Sequence, residues 1–339
     1  MAQTPLQDGA TEENIPAPTE RVSGSTTRPV VFVHTNAKQR LGARISAHSL
    51  KLTSARPETF DVRLLNIEDF PDLLAAKGRS FLRDGHERAW DPNDLQSFTP
   101  LRFAVPDVMG HEGRAVVIDP DVFAVGDVAD LLDWDMGAHP LWCRERPGHN
   151  GSAGYLASSV MLLDCARLPD WDFAAQLDAL WSGRLDYVAW IELGWVDRAE
   201  VGLLPPEWND FDRLTPSTRM LHTTKRRTQP WKTGLPVDYT LRERGFGPIP
   251  ASVVTPVVHW WTRNTARYRP HPDPNQERYI FALLADLLDT GGVTEAEIET
   301  EIARSNVRPD ALRLVEQHRG AFWPAVVPPG AEDRQRASA

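Results

Sequence analysis

Apolar runs alternate with segments of helical periodicity along the first two thirds of the chain. Continuous runs rich in β-branched residues are typical of buried strands, and they lie at Pro29–His34, Phe60–Ile67, Ala115–Ile118 and Tyr155–Asp164. Apolar residues spaced three and four apart predict helices over Gln39–Ser54, Asp69–Trp90, Thr99–Val108 and Trp171–Trp181. This alternation predicts an α/β fold with a mixed, mainly parallel sheet flanked by helices.

The last third of the chain has a different pattern. Glu277–Asp289 is an amphipathic segment, Thr294 and Glu297 form a capping-box sequence, and a further helix is predicted from Pro309. We therefore expect an α/β domain over 29–240 and a mostly helical appendage over 241–330. Residues 1–28 and 331–339 are predicted to be tails, and the first contains little that could be buried.

Composition narrows the class of protein. The formal net charge of −10 argues against a broad nucleic-acid surface, although it leaves room for a local phosphate site. No apolar run approaches the ~20 residues of a membrane span, and the N-terminus lacks a secretory pattern. Cys143 and Cys165 lie in apolar, strand-like surroundings, which favours structural thiols over a disulfide. We predict a soluble cytoplasmic protein.

Two carboxylates follow one of the predicted strands directly. Asp119 and Asp121 flank Pro120 at the end of the apolar run Ala115–Ile118. Carboxylates suit hard divalent ions such as Mg²⁺ or Mn²⁺, and open α/β sheets bind ligands at the carboxyl ends of their strands. The alternative is a simple Asp-Pro-Asp turn.

Other polar residues have both a functional and a structural interpretation. Thr35 and Asn36 follow the first strand, where they could contact a nucleotide or form a plain loop. Arg102 is the one cation of its predicted helix and is either an ion-pair partner or a clamp on a ligand anion. Asp186 could cap a helix, and Glu192, in apolar company, is either solvated or functionally placed.

Positive charge is concentrated after a short predicted strand that ends at His222. The cations there form either an anion site or a solvated basic loop, and they are Lys225, Arg226, Arg227 and Lys232.

Taken in order, these segments resemble the retaining glycosyltransferases of the GT-A fold, in particular glycosyltransferase family 8, the glycogenin and lipopolysaccharide-galactosyltransferase type. The resemblance covers about residues 29 to 235. The stretches that carry it are Val30–Thr35, Phe98–Phe103, Ala115–Asp121, Leu156–Asp164, and Leu204–Asn209 followed by His222 and Pro230–Lys232. By this resemblance, 29–240 is a catalytic domain that binds a nucleotide sugar.

The resemblance implies a function for individual residues. A divalent ion, Mn²⁺ or Mg²⁺, is expected on Asp119, Asp121 and His222, bridging the diphosphate of the donor. The residues expected to bind the donor are Thr35, Asn36, Arg102, Ser158, Lys225 and Lys232. The donor would be a nucleotide-diphosphate sugar, with a uridine diphosphate sugar as the first choice, and the acceptor hydroxyl is undefined.

The chain departs from the family pattern at several positions. Ala157 and Ser159 replace the usual Asn and Gly, and the family's acidic Asp-Gln-Asp segment is not intact. Glu192 is the nearest acidic equivalent by its distance from Leu204, with Asp186 as the second choice. The family's Gly after His222 and its Lys before Pro230 are also missing.

Two alternatives remain open, and the departures favour the first of them. One is a catalytically idle descendant that binds a nucleotide or a partner protein. The other is a sugar-phosphate nucleotidyltransferase, which the absence of a Gly-rich loop after the first strand disfavours.

Overall fold

A six-stranded mixed sheet forms the centre of the protein. The structure, a computed structural model, describes residues 28–147, 154–238 and 266–322. The strand order is β2–β1–β5–β8–β7–β9. The strands are β1 (Val30–Thr35), β2 (Asp61–Asn66), β5 (Arg114–Ile118), β7 (Leu141–Arg146), β8 (Tyr155–Asp164) and β9 (Val201–Leu203). Only β8 runs against its neighbours, which confirms the predicted mixed, mainly parallel sheet.

Two smaller sheets complete the strand content of the described residues. One is a hairpin of β3 (Ser80–Arg83) and β4 (His86–Ala89). The other has the order β10–β11–β6 and is built from β6 (Val122–Ala124), β10 (Asp210–Phe211) and β11 (Met220–His222).

Helices flank the sheets. In the described residues they are α1 (Arg40–Leu52), α2 (Pro71–Ala75), α3 (Val105–Val108), α4 (Ala129–Leu132), α5 (Phe173–Trp181), α6 (Tyr187–Ile191), α7 (Pro274–Asp289), α8 (Glu295–Ala303) and α9 (Ala311–His318). None of these is both long enough and apolar enough to cross a membrane.

The long helix predicted over Asp69–Trp90 is wrong. The helix ends at Ala75, and the hairpin β3–β4 occupies the second half of the segment. Asp84 and Gly85 form the hairpin turn with φ of 55° and 72°. An Asp-Gly pair is the turn signal that two-residue hairpins prefer, because both central residues need positive φ. The turn signal was therefore present in the sequence and outweighed the helical spacing.

The C-terminal helices pack on the α/β part of the chain. Apolar side chains of α7, including Ile280 and Leu284, join one buried cluster with Leu41 and Ile45 of α1. The Tyr279 hydroxyl donates to the carbonyl of Ala124 on β6, and His48 contacts Asp286 at 2.9 Å. The capping box predicted at Thr294 is present. The predicted tails lie outside the described residues except for Arg28, and so does the first part of the helical region, up to residue 265.

Both cysteines are buried free thiols, as predicted. Burial raises the pKa of Cys143 and of Cys165 to about 12, so both remain protonated at neutral pH.

Candidate metal centre

Three side chains predicted as metal ligands converge at one end of the central sheet. Asp119, Asp121 and His222 each offer a ligand atom, and these atoms lie within 4.8 Å of one another. The Nε2 atom of His222 lies 3.4 Å from Asp121 Oδ1 and 4.0 Å from Asp119 Oδ2. We call this group the candidate metal centre.

Strand pairing brings these residues together from distant parts of the chain. Asp119 follows the last residue of β5, and its N–H donates to the carbonyl of Ser159 on β8 at 3.1 Å. The antiparallel pair β6–β11 places His222 opposite Val122, the residue after Asp121. The acids and the imidazole are therefore held by backbone hydrogen bonds that are independent of any ion.

Helix α1 fixes the turn that carries the two aspartates. Ser46 donates to the carbonyl of Val122 at 2.5 Å, and Ser49 accepts the N–H of Ala124 at 2.8 Å. A Cβ on Gly42 would lie 3.1 Å from the carbonyl oxygen of Pro120, which is tighter than most side chains tolerate. A glycine at this position thus lets the helix approach the Asp-Pro-Asp turn closely.

The orientation of His222 is set by a hydrogen-bonded partner. Its Nδ1 lies 2.8 Å from Oδ1 of Asn209, whose amide donates to Ser159 at 2.9 Å. With Nδ1 donating to Asn209, Nε2 faces the two carboxylates. Metal-binding histidines in proteins are held in this way by a partner on the second nitrogen.

Asp121 has one oxygen bound and one available. Gln229 donates to Asp121 Oδ2 at 3.1 Å, whereas Asp121 Oδ1 is buried and has no hydrogen-bond partner. A buried carboxylate oxygen without a partner is costly unless a ligand satisfies it. This oxygen faces the Nε2 atom of His222.

Asp119 is held by two cationic or polar side chains. His34 donates to Oδ1 at 2.7 Å, and Arg102 donates to both carboxylate oxygens. Burial by itself would raise the pKa of Asp119, but the Arg102 charge and the His34 hydrogen bond lower it well below its usual range. Burial lowers the pKa of His34, which favours the neutral ring, and a hydrogen bond to the Asp119 carboxylate requires the proton on Nε2. Asp119 is therefore anionic at all ordinary pH values.

Ser158 links Arg102 to the helix that precedes Glu192. Its hydroxyl accepts from Arg102 at 2.9 Å and donates to the carbonyl of Ile191 at 2.5 Å. Glu192 follows the last residue of α6 and is half-buried. The contact therefore holds this end of α6 against β8, near the ion pair of Arg102 and Asp119.

Asp186 lies at the opposite end of α6. Its carboxylate caps the helix by accepting the N–H of Val188 at 2.7 Å, and it also accepts the N–H groups of Asp84 and Gly85 in the hairpin turn at 3.1 and 2.9 Å. Burial opposes the charge of Asp186, but these backbone donors lower its pKa. Asp186 thus connects the β3–β4 hairpin to the N-terminus of α6 through hydrogen bonds.

The first two predicted donor-binding residues use their side chains within the protein. The Thr35 hydroxyl is buried and donates to the carbonyl of Asn36 at 3.2 Å. Asn36 donates to the carbonyl of Asp94 at 3.1 Å and to Ser97 at 3.0 Å, and its Oδ1 accepts the N–H groups of the two residues before α1. These bonds anchor the loop before Phe98 to the end of β1, and any contact with a nucleoside stays a prediction.

The basic loop after His222 is divided between surface and interior. Lys225 is exposed. Lys232 is fully buried and forms an ion pair with Asp238, which also accepts from Tyr268 at 2.5 Å. Burial lowers the pKa of Lys232, although the carboxylate opposes this change. The contribution of either lysine at a diphosphate stays a prediction.

Three residues that support the candidate metal centre were not singled out from the sequence. His34 lies near the end of an apolar strand, Asn209 lies in the Leu-Pro-Pro-Glu-Trp-Asn segment, and Gln229 directly precedes Pro230. The resemblance marked the last two positions, but only the structure reveals their contacts with His222 and Asp121.

The chain is similar, at low identity, to several solved structures. No protein-family model and no curated protein matches the chain. Among solved structures, the galactosyltransferase LgtC is 14% identical, and the match covers 60% of this chain and 89% of that one with a TM-score of 0.42. The glycosyltransferase GlyE of Streptococcus pneumoniae is 16% identical, with 73% and 65% covered and a TM-score of 0.42.

The bifunctional glycosyltransferase WbbM is 14% identical over 61% of this chain, with a TM-score of 0.42, and the match spans only 47% of WbbM. All three similar structures are glycosyltransferases, the class that the sequence resembles.

Glu192 and Asp186, the two acids considered for catalysis, can be distinguished by the effect of a substitution on stability. Asp186→Ala removes a helix cap and two hairpin contacts, so we expect it to lower the free energy of unfolding by about 2 kcal/mol. Asp172→Ala is a matched control, because Asp172 caps α5 through one N–H, that of Ala175. Its expected cost is about 1 kcal/mol. Urea denaturation measures both.

Nucleotide binding by the folded Asp186→Ala protein should be unchanged. A variant of normal stability that has lost its activity would assign Asp186 a direct catalytic role instead.

Proposed function

We propose that this protein is a metal-dependent retaining glycosyltransferase that moves a sugar from a nucleotide-diphosphate sugar to an acceptor hydroxyl. The observation that carries the proposal is the convergence of Asp119, Asp121 and the Nε2 atom of His222 within 4.8 Å at the end of β5. Two carboxylates and one imidazole form a donor set for Mn²⁺ or Mg²⁺, with coordination positions left for phosphate oxygens.

The surroundings of the candidate metal centre support a fit to a divalent cation. The unpartnered oxygen of Asp121 and the Nε2 atom of His222 face each other at 3.4 Å, and a cation or a proton between them would make this contact favourable. The second nitrogen of His222 is already bound to Asn209. When bound, a divalent ion would neutralise charge developing on the departing diphosphate.

The residues of the chain have distinct roles in this proposal. Asp119 is kept anionic and oriented by Arg102 and His34. Its Oδ1 accepts from both of these side chains, whereas Oδ2 accepts from Arg102, so Oδ2 keeps a lone pair for a cation. Asn209 and Gln229 position His222 and Asp121. Glu192 is the acid that we assign to the sugar, because the carboxylate of Asp186 is taken up by three backbone N–H groups.

The donor would extend from the candidate metal centre toward the first strand. Thr35 is the last residue of β1 and Asn36 follows it, and β1 pairs directly with β5. Lys225 is exposed on the loop after His222 and is free to turn toward a diphosphate. Retention of the anomeric configuration, the uridine nucleotide and the roles of these residues rest on the family resemblance of the sequence.

The deciding experiment is donor hydrolysis with a panel of nucleotide sugars, run without acceptor and with Mn²⁺, Mg²⁺ or a chelator. We expect slow release of the nucleoside diphosphate from one donor, at least tenfold slower after chelation. Equal rates with and without the chelator would contradict the metal-dependent mechanism.

A second candidate is a nucleotide-binding descendant without turnover. Both oxygens of Asp119 already accept hydrogen bonds from Arg102, as they would in a purely structural ion pair. In that case isothermal titration calorimetry would detect binding of a nucleoside diphosphate, while no donor of the panel would be hydrolysed.

A further inference from the structure

A pair of arginines lies beside the candidate metal centre and has no role in the mechanism above. Arg144 and Arg146 are half-buried at the end of β7, and alternate residues of a strand share one face of the sheet. Their guanidinium carbons lie 4.4 and 4.7 Å from the centre of the Phe211 ring. We call these two residues the arginine pair.

The arginine pair is contiguous with the candidate metal centre. The ring of Phe211 lies 5.5 Å from the imidazole of His222, centroid to centroid. Arg144 also donates to the backbone carbonyl of Asn209 at 2.5 Å, and the side chain of Asn209 orients His222. A group bound at the arginine pair is therefore one aromatic ring away from the proposed reaction centre.

The positive charge of the arginine pair is not neutralised by an ion pair. Within 28–147, 154–238 and 266–322, no carboxylate lies within 4.0 Å of either guanidinium, and Arg144 Nε is buried without a hydrogen-bond partner. The side chain of Arg146 donates to the Tyr155 hydroxyl at 2.9 Å. Burial lowers the pKa of Arg144, opposed by Asp210 and helped by the charge of Arg146, but a guanidinium stays protonated.

Two like charges over one ring repel each other unless an anion lies between or beside them. Guanidinium groups bind phosphate and carboxylate through paired N–H donors, and partial removal from water strengthens those bonds. In a chain with a net charge of −10, two adjacent cations that lack an ion-pair partner in the described residues are a local exception next to a candidate reaction centre.

We propose that the arginine pair, with Phe211 and Tyr155, is a subsite for a phosphate or carboxylate group carried by the acceptor. The proposal rests on the transferase function proposed above. The sheet order supports an acceptor over a donor, because β7 lies on the opposite side of β5 from β1, where the nucleoside is expected.

The test compares three small ligands and three proteins. Glucose 6-phosphate, glucuronate and glucose are titrated by calorimetry into wild type, Arg146→Gln and Arg146→Lys. The variants are made at Arg146 because Arg144 also supports the backbone at Pro206 and Asn209. Arg63→Gln is the matched control, since Arg63 is exposed on the edge strand β2 at the other end of the sheet.

We expect wild type to bind one of the two anionic sugars at least tenfold more tightly than glucose. Arg146→Gln should lose about tenfold in affinity for that anion, and Arg146→Lys should lose less, because it keeps the charge without the paired donors. Arg63→Gln should bind as wild type does. The better of the two anionic ligands identifies the group as phosphate or carboxylate.

Three results would overturn the proposal. They are equal affinity for glucose and both anionic sugars, unchanged anion affinity in Arg146→Gln, and an equal loss of affinity for the nucleoside diphosphate in that variant. The last result would place the donor diphosphate, not the acceptor, at the arginine pair. Failure of wild type to bind a nucleotide with Mn²⁺ is a separate observation that contradicts the transferase function without affecting the anion titration.

Discussion

Asp121→Asn is expected to lower metal-dependent nucleotide binding by about 100-fold or more, since it removes a charged ligand while preserving the shape of the side chain. The same change should leave the free energy of unfolding of the metal-free protein unchanged or slightly increase it. Asp121 Oδ1 is buried without a partner and faces His222 Nε2, so removal of its charge relieves an unfavourable contact. Calorimetry with a nucleoside diphosphate and Mn²⁺, together with urea denaturation, measures both effects.

Asp178→Asn provides the control, because Asp178 is exposed on α5. It should change neither quantity. If Asp121→Asn binds the nucleotide and Mn²⁺ as wild type does, the candidate metal centre is not a metal site and the proposed transferase mechanism is wrong.

Arg102→Met is expected to have the opposite effect on stability, with a loss of about 3 kcal/mol in the free energy of unfolding. Arg102 and Asp119 are both more than nine-tenths buried, and removal of the guanidinium leaves the carboxylate with His34 as its remaining side-chain donor. The loss should be seen by urea denaturation in the absence of any nucleotide. Nucleotide binding should also weaken, because Asp119 and Ser158 lose a shared partner.

Arg304→Gln is the comparison for a surface ion pair. Arg304 is largely exposed and contacts Glu301 at 3.1 Å within one helical turn. Its removal should cost less than about 1 kcal/mol. Arg102→Met could instead be as stable as wild type and bind the nucleotide weakly. That result would identify Arg102 as a clamp on the anion of the donor and not as an ion-pair partner of Asp119.

These two variants test different properties of adjacent residues. Asp121 Oδ1 has no hydrogen-bond partner in the described residues, which is typical of a residue that binds a ligand. Asp119 is satisfied by Arg102 and His34, so its contribution is at least partly to the stability of the fold. Of the two acids in the Asp-Pro-Asp sequence, Asp119 therefore has a structural role at least in part, and Asp121 is available to bind a ligand.

Much of the fold could be predicted from local sequence. β8 spans Tyr155–Asp164, as its apolar run predicted, because residues of a strand buried on both faces must all be apolar or small. The same reasoning placed β1 and β5. It was wrong at 69–90, where helical spacing and an Asp-Gly turn signal competed, and packing of Phe81 against Trp90 and Trp181 accompanies the hairpin.

By itself, the sequence determined the strand-and-helix order outside 69–90, the position of two acids at a strand end and the candidate role of His222. Only the tertiary structure decided which partners those residues have. The contacts of Arg102 with Asp119, of Asn209 with His222 and of Gln229 with Asp121 join segments that are 17, 13 and 108 residues apart. Local spacing carries no information on such contacts, because they depend on strand pairing and on how closely α1 approaches the turn at Pro120.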